Sequence, residues 1–181
     1  MKKIIIVLSM LISSVAIAQK HNIVNASIAL RNAKKATGDD NGVLLAEAKD
    51  YIDLAYSNES TSNEPKMWNY RAPIYLEIAL KKPELDNKAI LKATDSYIKC
   101  LTKGKKDRII VRKWTPKEDV LAGLIQCGYK LFNLGIDKYN EGDYQSSLDF
   151  YEKIFAIVPF DEEDQLKRGN ITQETILYNS F

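Results

Sequence analysis

The chain has 181 residues, 45% hydrophobic and 28% charged, which is the composition of a soluble globular domain. It excludes collagen-like, low-complexity and multi-span membrane classes. The 26 lysines and arginines stand against 24 acids, and without Lys2 and Lys3 the two numbers are equal, so net charge gives no reason to expect a nucleic-acid partner.

Residues 1–18 carry the three-part pattern of a secretory signal peptide: a cationic Met1-Lys2-Lys3, a 15-residue run from Ile4 to Ala18 interrupted only by serines, and small residues in the closing Ala16-Ile17-Ala18. Fifteen residues fall short of the ~20 that a membrane-crossing helix needs. Cleavage after Ala18 and export to the periplasm or beyond are therefore expected, with no transmembrane segment in residues 19–181. No cysteine closely follows the apolar run, so nothing marks a lipid attachment site.

From Gln19 onward, apolar residues recur three and four apart, the helical period, and no stretch sustains strand alternation. The spacing predicts helices at about 20–37, 43–58, 66–82, 86–102, 116–141 and 145–158, and a last one starting near Gln165 or Ile171. Three apolar stripes need partners: Leu44/Leu45, Ala48, Ile52 and Ala55; Ile90, Ala93, Tyr97 and Cys100; Leu148, Tyr151, Phe155 and Val158. Thr37 to Gly42 reads as a turn, as does Gly142-Asp143. Thr115-Pro116-Lys117-Glu118 has the form of a capping box with proline in the first turn. The least helical stretch is the basic connector from Lys103 to Trp114.

Leu131, Leu134-Gly135, Tyr139, Gly142-Asp143-Tyr144, Ser147-Leu148, Tyr151, Ile154 and Pro159 resemble a tetratricopeptide repeat, a 34-residue helix–turn–helix unit. In that pattern Gly135 lets two helices approach, residues 142–144 make the turn and Pro159 stops the second helix. The match, best over 129–160, departs at Leu131 in place of tryptophan, at Ser147 and Ile154 in place of alanines, and at Tyr139, one position late. Weaker copies carry Trp68, Ala72 and Tyr75 with Ala93, Tyr97 and Cys100, and before them Ala48, Ile52 and Ala55. The equivalent small-residue positions 48, 93 and 147 lie 45 and 54 apart rather than 34, so insertions fall around Lys81 to Asn87 and between Ala93 and Leu131.

The resemblance implies an all-α solenoid of about three stacked antiparallel helix pairs plus a terminal helix, in an exported, non-catalytic scaffold that binds a protein or peptide on its concave face. Carried over residue by residue, the groove positions fall on Tyr129, Phe132, Ile136, Tyr139 and Asn140. In the preceding repeat they fall on Lys66, Asn69, Pro73, Leu76 and Glu77. Pro73 implies either a kink or a late helix start at Arg71. Trp68, Tyr75, Tyr97 and Tyr151 are expected in the core.

Residues suited to catalysis are scarce. His21 is the only histidine and lies near the expected mature terminus; no nucleophile elbow, Cys-x-x-Cys or His-Glu-x-x-His motif is present. The phosphate-loop pattern fails at Gly104-Lys105, because Lys99 stands at the first glycine position and Lys106 at the hydroxyl position. Asp161-Glu162-Glu163-Asp164 lacks the ligand spacing of a calcium loop and reads as a complement to a helix dipole. No enzyme activity, cofactor or metal is expected. Cys100 and Cys127 are expected as two buried free thiols, although adjacent helices could present them to each other.

Within Lys103–Lys113, six cations face Asp107 alone. That charge reads either as a solvated connector or as a site for an anionic partner: an acidic peptide, a lipid head group or a polysaccharide. Two other roles fit the same sequence, an envelope- or polysaccharide-binding accessory and the repeat region of a longer exported enzyme or sensor.

Overall fold

Helices with one apolar face must pair, and here they pair in chain order. The computed structural model describes residues 20–180; the expected signal peptide, residues 1–18, lies outside them. Among the described residues there are eight helices and no strands. The first, α1, spans residues 20–35. It is followed by α2 (Asp39–Ser57), α3 (Pro65–Lys81), α4 (Ala89–Cys100), α5 (Lys117–Asn140), α6 (Tyr144–Phe155), α7 (Gln165–Arg168) and α8 (Gln173–Ser180).

Each helix packs on the next from α2 to α6, and α8 lies against α6. Contacts also skip one helix: α3 meets α5, α4 meets α6, and α5 meets α7. The helix α1 contributes Ile23, Ala26, Ala29, Leu30 and Ala33 to the core and is tied to α3 by Lys20–Glu64 and Lys34–Glu77, both 3.6 Å. Such exposed pairs contribute at most ~1 kcal/mol each. The apolar faces hold the stack together, since truncating a buried leucine or isoleucine such as Leu124 or Ile154 to alanine typically costs ~2–5 kcal/mol.

The first two expected stripes are buried as read, from Leu45 to Ala55 and from Ile90 to Cys100. The third is corrected. Tyr151 is buried and Phe155 packs half-buried as read, but Leu148 and Val158 are exposed, and α6 buries Ser147, Phe150 and Ile154 in their place. Ser147 Oγ donates to the Gly135 carbonyl at 2.7 Å, which turns that face of α6 toward α5. The turn at Gly142 has φ 80°, a conformation glycine adopts freely, and the Asp143 carboxylate accepts from the Ser146 amide to start α6. The Ser146 hydroxyl first, and then its amide, hold the Asp143 carboxyl below its ordinary range.

Three boundaries differ from expectation for identifiable reasons. The helix α2 begins at Asp39 rather than 43, because buried Asn41 donates its Nδ2 to the Ala33 carbonyl at 2.7 Å and draws the would-be turn residues into the helix. The capping box at Thr115 does not form: Thr115 Oγ1 lies 2.6 Å from Asn69 Oδ1, and no side chain caps α5. At the C-terminal end there are two short helices, separated at Gly169-Asn170, where Asn170 has φ 62°. The helix α3 runs through Pro73 without starting late.

Candidate partner-binding face

The residues expected to line a groove lie on α3 and α5, and the structure separates them. Leu76 is 6% exposed and belongs to the core, and Asn69 is 8% exposed with its amide oxygen engaged by Thr115. Neither presents its side chain to a partner; on α3 these two positions turn inward, Asn69 beneath Thr115 at the end of the connector. Lys66 is half-buried, and Glu77 is held between Lys34 and Lys81, the latter at 2.7 Å.

On α5 the aromatics are largely used within the fold. Tyr129 donates its hydroxyl to the Gln165 carbonyl at 2.7 Å, and its ring lies so close to Gly169 that a Cβ there would be 2.5 Å away. The segment carrying α7 covers only one edge of the ring, and Tyr129 stays 38% exposed. Phe132 packs its ring against Tyr151 at 6.0 Å. Ile136 is half-buried against the core. Tyr139 is exposed and stacks edge-on with Tyr144 at 5.3 Å, and Asn140 is exposed at the end of the helix. The surface left on this side is Lys66, parts of Tyr129 and Ile136, Tyr139 and Asn140.

Of the expected core aromatics, Tyr75, Tyr97 and Tyr151 are buried, and Trp68 is packed half-buried against the core. Around Tyr75 lies a polar cluster that motif reading passed over. Arg71 is 5% exposed, sits over the Tyr56 and Tyr75 rings at 4.3 and 4.5 Å, and donates to Ser96 Oγ at 3.0 Å and the Lys92 carbonyl at 3.3 Å. It has no carboxylate in ion-pair range among the described residues, and its Nε has no hydrogen-bond partner. Tyr75 donates to Asp53, which also pairs with Lys49. Burial, then the Asp53 bond, pushes the Tyr75 hydroxyl well above its ordinary pKa. The sequence signal was an arginine on the buried stripe of α3, four residues after Met67 and three before Ile74.

Cys100 and Cys127 are buried and unbonded. Burial pushes both thiols up to about 12, Cys127 against the opposing bond it makes with Thr94, which leaves them protonated and unreactive at neutral pH. Three of the four acids before α7 serve the fold: both Asp161 oxygens accept from the Gln165 and Leu166 amides at 2.8 Å, Glu162 pairs with Lys117 at 2.6 Å, and Glu163 lies 3.8 Å from Arg168.

The basic connector is not loose. Thr102–Gly104 and Arg108–Ile110 face each other in antiparallel fashion, with Gly104 N bonded to the Arg108 carbonyl at 2.8 Å and Ile110 N to the Thr102 carbonyl at 3.0 Å. Val111 and Ile109 are buried, anchoring the loop to the core.

No protein-family model matches the chain, and neither a curated protein nor a solved structure does. No helix among the described residues is long and apolar enough to cross a membrane.

Proposed function

We propose that this chain is an exported, non-catalytic scaffold of the tetratricopeptide type, holding a protein or peptide on the side formed by α1, α3 and α5. The observation that carries the reading is that α3 meets α5 while α4 meets α6, the contacts expected where first helices stack on first helices and second on second. The buried small residues Ala48, Ala93 and Ser147 at the equivalent crossing positions favour the same arrangement. A repeat stack of this kind presents one continuous face to an extended ligand. With Asn69 and Leu76 buried and Phe132 packed on Tyr151, the contact surface centres on Tyr129, Ile136, Tyr139, Asn140 and Lys66. Export rests on residues 1–18 and is read out by the mature N-terminus: Gln19 supports it, and an intact Met1 in the host overturns it.

Photo-crosslinking amino acids placed at Ile136 and Tyr139, compared with Leu54 and Glu152 on α2 and α6, test the face in the native host. One discrete adduct from the first pair alone is expected. Adducts from the second pair alone, or none from either, overturn the assignment.

A further inference from the structure

We propose that the hairpin of residues 102–114 is a docking element for an anionic lipid surface, a role independent of the partner face above. Charge is the first support. Lys106, Arg108, Arg112 and Lys113 are exposed, and none makes an ion pair among the described residues, whereas Lys103 pairs with Asp107 at 3.0 Å. Outside Lys103–Lys113 the chain holds 20 cations against 23 acids, so this loop is a local positive field on an otherwise slightly acidic molecule. Glu118 and Asp119, which follow in the chain, lie in the first turn of α5, where they complement its dipole, and pair with none of these cations.

Rigidity is the second support. The buried Ile109 and Val111, the two cross-loop bonds and the Thr115 contact to Asn69 fix the loop at its base. Its tip holds Lys106 and Asp107 at φ 62° and 56°, left-handed conformations that non-glycine residues rarely adopt. Cations held in place lose less freedom on binding than cations on a mobile tail.

The third support selects a bilayer over a soluble polyanion. Trp114 is 42% exposed directly after Arg112-Lys113. Tryptophan partitions to the headgroup level of membranes, and basic residues near an anionic leaflet each add about fivefold in affinity. A polyanion that needed charge alone would gain little from that ring.

The test uses the exported chain from Gln19 with Trp68→Phe, which leaves Trp114 as its one tryptophan, and vesicles of phosphatidylcholine with and without the anionic lipid phosphatidylglycerol. Binding to the anionic vesicles with a blue shift of Trp114 emission, weakened by salt, is expected. Lys106→Glu with Arg108→Glu is expected to lower that affinity at least ~25-fold, and Trp114→Ala several-fold with the salt dependence unchanged. Both changes are at exposed positions, and an unaltered melting temperature shows that the fold persists. Absence of binding to anionic vesicles at low salt overturns the proposal, as does binding unaffected by the charge reversal. Equal binding to soluble polyglutamate or alginate without a Trp114 shift also overturns it, and assigns the loop to polyanions instead.

Discussion

The ring of Tyr151 lies across the backbone of Gly135, so close that a Cβ on that glycine would stand 2.6 Å from the ring. The contact joins α5 to α6 and sets how near they come. Alanine in a helix is ordinarily better than glycine by ~1 kcal/mol, but overpacking a buried ring costs ~1–3 kcal/mol. Gly135→Ala is therefore expected to destabilise the chain. In a Tyr151→Leu background the same change becomes neutral or stabilising, and a double-mutant cycle by urea denaturation reads the coupling. Additive effects would mean that the ring moves aside freely.

Alkaline stability follows from the two thiols. Each has its folded pKa raised from an ordinary 9.0 to about 12 by burial. The protonated form is favoured in the fold, so the contribution is fully present below pH 9 and is lost as pH rises from 9 toward 12. With both titrating in the unfolded chain, the slope approaches ~3 kcal/mol per pH unit. Tyr75 and Tyr97, also pushed up by burial, add to the loss at higher pH. Cys100→Ala with Cys127→Ala is expected to flatten the curve between pH 9 and 10.5, whatever its effect on stability at pH 7.

Thr115 fastens the connector to α3 through Asn69. Thr115→Val keeps the shape and removes the hydroxyl, leaving a buried amide oxygen unsatisfied at a cost of ~1–2 kcal/mol. Trypsin cleavage after Lys106 and Arg108 is expected to quicken in that variant and to stay near wild type in Thr115→Ser. Unchanged cleavage in Thr115→Val would show that Ile109 and Val111 alone hold the loop.

Arg71 tests whether a buried cation without a carboxylate stabilises or merely fits. Its hydrogen bonds and ring contacts oppose a desolvation penalty of several kcal/mol, and the Lys92 carbonyl still receives the Ser96 hydroxyl at 2.6 Å without it. Arg71→Met is expected to change stability by less than ~1 kcal/mol, whereas Arg71→Ala, which leaves a void, loses ~3 kcal/mol. A large loss for methionine would show that the charge itself contributes.

Helix positions were legible because Leu45, Ala48, Ile52 and Ala55, like Ile90, Ala93 and Tyr97, write the helical period directly into the chain. What was not legible depended on distant partners. Asn41 reads as a turn residue until the Ala33 carbonyl is placed beside it. Thr115 reads as a cap until Asn69, 46 residues earlier, takes its hydroxyl. The groove residues were carried over by position, and position says nothing about Gln165 and Gly169 meeting one edge of Tyr129 or about Tyr151 meeting Phe132.

Three glycines of α5 are each fitted to a different neighbour: Gly123 to the Tyr97 ring, Gly128 to Leu166 and Gly135 to Tyr151. Together they key the helix at two angles around its axis, Gly128 and Gly135 lying on nearly the same face and Gly123 about 120–140° away. One residue inserted between Gly123 and Gly135 would rotate one end against the other by about 100°, pulling at least one small residue out from under its partner. Length changes in this chain are therefore confined to the joints between helices, and α5 behaves as a shaft whose phase the rest of the stack must follow.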